Sequence, residues 1–156
     1  MTDAPPLQPS LGEIGLSNYA PYLMNRIMGR YNASLQAEMA DVGLTTPKMR
    51  VLAVLSVVEG PLIRELSVLT VVEQSTLSRS LDQLQADGLI RRETDSADSR
   101  AVRVIITKAG RVTFETLWPH MAAAQARMFR GVPDEERRVF VGTLQKMLHN
   151  IRKHEI

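Results

Sequence analysis

Between Gln74 and Arg92 the chain reads QSTLSRSLDQLQADGLIRR, and its polar residues fall to one side of a helical pattern. Leu77, Leu81 and Leu84 stand at i, i+4 and i+7, the spacing that buries one stripe of a helix over about Glu73 to Asp87. Rotation away from that stripe leaves Gln74, Ser75, Ser78, Arg79, Asp82 and Gln83 for solvent or a partner, with Thr76 at the boundary. The hydroxyls and amides both donate and accept hydrogen bonds, and Arg79 offers a planar fork of donors suited to a bidentate acceptor. This is a chemistry of recognition.

A chemistry of bond making is not indicated. Catalysis needs a nucleophile or acid beside a positioned base, yet the serines lie on a helix face or in a turn, and neither G-x-S-x-G nor a phosphate-binding glycine loop occurs. There is no cysteine, which excludes disulfides, thiolate metal sites and thiol redox sensing. His120, His149 and His154 lack the H-E-x-x-H pattern and any i, i+4 pairing, and DSADSR lacks the spacing and central glycine of a calcium loop. No catalytic residue, metal site or cofactor is expected.

The elements that must hold this polar face are well punctuated. A first helix is predicted from Asn18 to about Asp41, where Leu23, Ile27, Tyr31 and Leu35 recur every four residues, and Gly43 ends it. In GLTTPKMRVLAVLSVVEGP, Thr46 suits an N-cap, Pro47 the first helical position, and Gly60 with Pro61 a stop; Met49, Leu52 and Leu55 are expected inside. A short helix from Ile63 to about Leu69 buries Leu66 and Leu69. Gly88 then supplies a left-handed residue, after which LIRRET and AVRVIIT read as two strands of a hairpin around the polar turn DSADSR. A long helix from Lys108 contains Pro119, which predicts a kink. In the last helix Asp134, Glu135 and Glu136 favour the N-terminus, and Phe140, Leu144, Met147, Leu148 and Ile151 form an apolar stripe.

The 156 residues suffice for one domain or two small lobes sharing a core, and 44% hydrophobic with 23% charged residues is a globular composition. The net charge of +2 is a weak pointer to an anionic partner, and from Arg64 to Arg111 the charges nearly cancel. A nucleic-acid site must therefore be a local pattern. No apolar run approaches the roughly 20 residues of a membrane span, and the first ten residues lack a signal-peptide pattern, so no membrane partner and a cytoplasmic location are expected.

Two short helices, the second polar on its outer side and followed by a glycine and a charged hairpin, make the plan of a winged helix-turn-helix. Such a helix enters the major groove of double-stranded DNA, where Ser, Thr and Gln bond base edges or phosphates and Arg takes guanine. The hairpin tip then lies over the minor groove, whose negative potential attracts arginine. In STLSRSLDQLQADGLIRR, in the wing DSADSRAVRVIITKAG and in the flanking long helices, the sequence resembles the MarR family of bacterial transcription regulators over nearly everything after the N-terminal arm.

The resemblance implies a mainly α fold with a small β-hairpin: a flexible arm over 1–16, a winged helix-turn-helix lobe over 45–108, and dimerisation helices over 17–44 and 109–156. It implies a homodimeric, ligand-responsive repressor on a pseudo-palindromic operator. By that analogy Ser75, Thr76, Ser78 and Arg79 face the major groove, and Arg100 enters the minor groove, oriented by Asp98. On the hairpin Arg91, Arg92 and Arg103 are alternately exposed, with Arg92 and Arg103 offered to phosphate. A small-molecule effector pocket is expected near Arg26, Arg30, Trp118 and Met121. Two positions depart from the family pattern. Ser99 stands where a basic residue is frequent, and SVLTVVEQS has no glycine in the inter-helix turn, so Val71 and Val72 are expected to form an extended link without positive φ. The nearly balanced charge of the lobe leaves a second reading, a winged-helix module that docks a protein instead of a duplex.

Overall fold

The computed structural model describes residues 8–156, which divide into two compact units, one ending at Ser34 and the other spanning Leu35–Ile156. In the first unit α1 (Leu11–Ile14) is closed by a reciprocal cap: the Ser10 hydroxyl accepts from the Glu13 N–H at 3.3 Å, and the Glu13 carboxylate accepts from the Ser10 N–H at 2.6 Å. The described part of the expected flexible arm therefore carries an ordered helical turn; residues 1–7 lie outside the described residues. A 3-10 turn (Leu16–Asn18) leads to α2 (Ala20–Ser34), none of whose residues is buried.

The predicted helix from Asn18 to Asp41 is two helices. α2 stops at Ser34, Leu35 is a turn residue, and α3 (Gln36–Asp41) follows. The Ser34 hydroxyl donates to the Tyr31 carbonyl at 2.7 Å, competing for the acceptor that a continuing helix would use. Leu35 and Met39 then turn into the core of the second unit.

That core is centred on α4 (Thr46–Val57), which packs against α3, α5 (Ile63–Thr70), α6 (Gln74–Ala86), α7 (Lys108–Met128) and strand β2 (Val102–Ile106). Met49, Val51, Leu52 and Leu55 are buried as a near-continuous set, because α4 is covered on several sides. The N-cap of α4 is Thr45 and not Thr46; Pro47 occupies the first turn, where its missing N–H costs nothing. In α5, Leu66 is fully buried and Leu69 only half-buried. The inward place near the C-terminal end goes to Thr70, whose hydroxyl donates to the Leu66 carbonyl at 2.7 Å.

The link from α5 to α6 is not extended. Val71 adopts φ 53°, ψ 44°, a left-handed conformation that opposes a β-branched side chain by about 1–2 kcal/mol. Burial of Thr70 and Val72 on either side holds it there while the Val71 side chain points to solvent. After α6, Gly88 at φ 71° ends the helix in a paired cap: its N–H donates to Gln85 O at 3.0 Å and the Leu89 N–H to Leu84 O at 2.9 Å.

β1 (Ile90–Thr94) and β2 pair antiparallel, with Ile90 opposite Ile106 and Thr94 opposite Val102. Pro61 and Leu62 extend the ladder on the β2 side, the Val104 N–H donating to Pro61 O at 3.0 Å. The start of α7 is pinned beneath α6: Thr107 Oγ1 accepts from the Gly110 N–H at 3.1 Å and donates to Gly88 O at 2.6 Å. Gly110 is required there, since a Cβ would lie 2.0 Å from Leu89 O. α7 continues through Pro119 and shares its buried Phe114, Leu117 and Met121 with the core of residues 45–108, so no structural boundary separates that lobe from α7. α8 (Asp134–Ile151) carries its three acidic residues in the first turn and buries none of its residues.

Candidate nucleic-acid interface

The outer side of α6 has the composition expected of a reading face. With Leu77, Leu81 and Leu84 at 0–1% exposure, Gln74, Ser75, Ser78, Arg79 and Gln83 are exposed and Thr76 is intermediate. Ser80, on the inner side, is buried. Leucine packing thus sets the rotation of the helix, and the rotation decides which polar groups can reach a partner.

The two halves of this face differ in how they are held. Toward the C-terminal end Arg92 of β1 bonds back onto α6, pairing with Asp82 through Nη2 and donating from Nε to Gln85 Oε1 at 2.6 Å. Toward the N-terminal end Arg79 forms no ion pair with any described residue. One arginine braces the helix on the hairpin, and the other is exposed.

The wing tip, residues 95–101, is organised by Asp95. Its Oδ2 accepts the N–H groups of Ala97 at 3.2 Å and Asp98 at 3.1 Å, while Oδ1 is paired with Nε of Arg103. The Arg103 guanidinium, with help from the two amides, holds the Asp95 carboxyl below the usual carboxylate range. The same guanidinium donates from Nη1 to Gly60 O at 2.7 Å, tying the wing to the loop after α4. Asp98 Oδ1 accepts the backbone N–H of Arg100 at 2.9 Å. Asp98 therefore orients Arg100 through the main chain, and the Arg100 guanidinium remains exposed without an ionic partner among the described residues.

Arg92 and Arg103, expected to offer charge to phosphate, are both committed to internal contacts, and Arg91 pairs with Glu93 along β1. These links span 10, 43 and 8 positions of sequence for Arg92 with Asp82, Arg103 with Gly60 and Arg103 with Asp95. Local pattern gives no access to them. The one signal for Asp95 was its place at the head of a polar turn, where an aspartate accepts the following amides.

The four residues expected near an effector sit in different settings. On α2, Arg26 donates to the Tyr22 hydroxyl at 3.0 Å and lies over that ring, and Arg30 is exposed. On α7, Met121 is buried in the core, while Trp118 is half-exposed with its ring 6.3 Å from that of Phe114. Elsewhere on α7, His120 Nδ1 lies 3.7 Å from Glu38 of α3.

Residues 42–101 match the sequence pattern described as the MarR family. The chain is similar to a solved MarR-family transcriptional regulator from Silicibacter pomeroyi, with 59% identity, a TM-score of 0.90, and coverage of 95% of this chain and 100% of that one. It is also similar to BpsR of Bordetella bronchiseptica, a structure described as showing regulation of DNA binding by 6-hydroxynicotinic acid, at 28% identity and a TM-score of 0.71 over 82% of this chain and 97% of that one. Among curated proteins it resembles the HTH-type transcriptional repressor IacR of Pseudomonas putida, 24% identical across 92% of this chain and 86% of that protein. With a winged helix-turn-helix core and a 59% identical relative matched over its whole length, the chain belongs to the MarR family, as a DNA-binding transcriptional regulator and not an enzyme.

Proposed function

We propose that the protein acts in the cytoplasm as a homodimeric repressor, one α6 reading each half-site of a pseudo-palindromic operator, with half-sites about one helical turn apart. Ser75, Thr76, Ser78 and Arg79 meet the major groove, Gln74 and Gln83 stand at its rim, and Arg100 enters the adjacent minor groove. The observation that carries this reading is the division among arginines: Arg79 and Arg100 are exposed and form no ion pair with a described residue where a duplex would lie, while Arg92 and Arg103 hold the helix and wing that present them. Arg92 and Arg103 are accordingly positioning residues, a change from their expected phosphate contacts.

Dimerisation is supported by apolar surface at both ends of the chain. Leu23, Ile27 and Met28 of α2 are exposed, as are Val139, Phe140, Leu148 and Ile151 of α8. An effector that binds better to a dimer whose half-site spacing does not match DNA would shift the population away from the operator. Control of DNA binding by a small aromatic acid in BpsR favours that mode of regulation here.

Anisotropy titration of promoter duplexes at several salt concentrations tests the proposal. Log affinity should fall linearly with log salt, and absence of salt-dependent binding to any duplex, the gene's own promoter included, rejects it. Arg79→Ala should cost ~1–3 kcal/mol and relax base preference at one position of each half-site. Arg100→Ala should weaken binding while the dimer stays folded.

A further inference from the structure

A groove of about 600 Å³ lies between α5, the first residue of α6 and the wing, and its polar lining is Arg64, Ser67, Gln74, Asp98, Arg100 and His154. Its place in the lobe is informative. Gln74 begins the helix assigned to the major groove and Arg100 tips the wing assigned to the minor groove, and a duplex that seats both must pass a sugar–phosphate strand between them. The charge of the groove fits that strand. Arg64 is exposed and, like Arg100, forms no ion pair with a described residue. The one carboxylate in the lining, Asp98, is already turned to the Arg100 backbone N–H.

The end of the chain contributes as well. α8 stops at Ile151, Arg152 is extended at φ −63°, ψ 144°, and its guanidinium donates to Glu155 O at 2.9 Å. The segment that follows brings His154 to the groove, and Lys153 with His154 to the neighbouring surface over Val71 and Glu73.

We propose that this groove seats a phosphodiester of the bound DNA strand between the major- and minor-groove contacts, with Arg64 as the principal contact and His154 at its outer wall. The inference rests on the DNA-binding reading of α6 and the wing. It makes Arg64 a source of affinity without sequence preference, since a phosphate carries no base identity.

The test is a set of salt titrations of the full-length protein on an operator duplex and a scrambled duplex. One neutralised phosphate contributes about 0.9 to the slope of log affinity against log salt. Arg64→Ala should therefore lower the slope by about one for each subunit bound and weaken both duplexes by the same factor. Arg64→Lys should keep most of the slope, and a chain ending at Ile151 should lose slope without losing base preference. Arg64 is exposed, so circular dichroism of the variants should match the unsubstituted protein. If the unsubstituted protein binds DNA and Arg64→Ala leaves its slope unchanged, the groove assignment is overturned. An unchanged slope together with saturable, Arg64-dependent binding of inorganic phosphate would assign the groove to a free anion and overturn it equally. Failure of the unsubstituted protein to bind any duplex would instead overturn the DNA reading itself.

Discussion

α6 and α8 carry the same kind of apolar stripe and meet different fates. In α6 the leucines at 77, 81 and 84 are almost entirely withdrawn from solvent by α4 and β1. In α8 the stripe stays largely open: Leu148 is 61% and Ile151 79% exposed, Leu144 and Met147 are half-buried, and the Phe140 ring stands edge-on to that of Phe129 at 6.1 Å. Sequence periodicity reports that a helix has a face to bury and is silent on what buries it. For α6 the cover is this chain; for α8 a second copy supplies it in the reading proposed above.

That contrast can be broken at either helix. Leu81→Ala removes side-chain volume from a sealed site and should cost ~2–5 kcal/mol of folding stability, measured by urea denaturation. The loss should be independent of protein concentration if the site is internal to one chain. Leu148→Asp should leave the fold of one subunit largely intact and act on association. In a symmetric interface the change enters twice, at ~1.5 kcal/mol or more per buried side chain, so the dimer dissociation constant should rise at least ~100-fold by sedimentation. An unchanged dissociation constant would remove α8 from the interface.

A smaller effect sharpens the comparison from the other side. The α5–α6 turn holds Val71 at positive φ with the residue 80% exposed, so little packing is lost with the side chain. Val71→Gly relieves about 1–2 kcal/mol of strain and returns part of it as unfolded-state entropy. A net gain of about 0.5–1 kcal/mol, or roughly 2 °C in Tm, should be seen by calorimetry. A loss of stability would show that Val71 contributes packing that its exposure conceals.

Much of the lobe was legible because its signals are local. The leucine spacing of α6, Gly88 as its left-handed stop, the two strands and the acidic first turn of α8 each depend on residues within a few positions of one another. Two readings failed where the deciding contact was cooperative, and one pair of contacts was invisible to local pattern. Ser34 and the burial of Leu35 split one predicted helix into two. The valine link took a left-handed turn because its buried neighbours fix the path. Arg92 and Arg103, read as charges offered to phosphate, also hold Asp82, Gln85, Asp95 and Gly60, partners that only folding brings beside them.

By itself, then, the sequence determined the winged helix-turn-helix plan, the polar side of α6 and the apolar stripes at both ends, since these follow from side-chain period and backbone preference. Only the tertiary structure decided which arginines are spent within the protein and which face outward, and that Arg64, Arg100 and His154 line one groove. The physical reason is distance along the chain: an ion pair or a shared groove is set by proximity in space, which periodicity over a few residues does not encode.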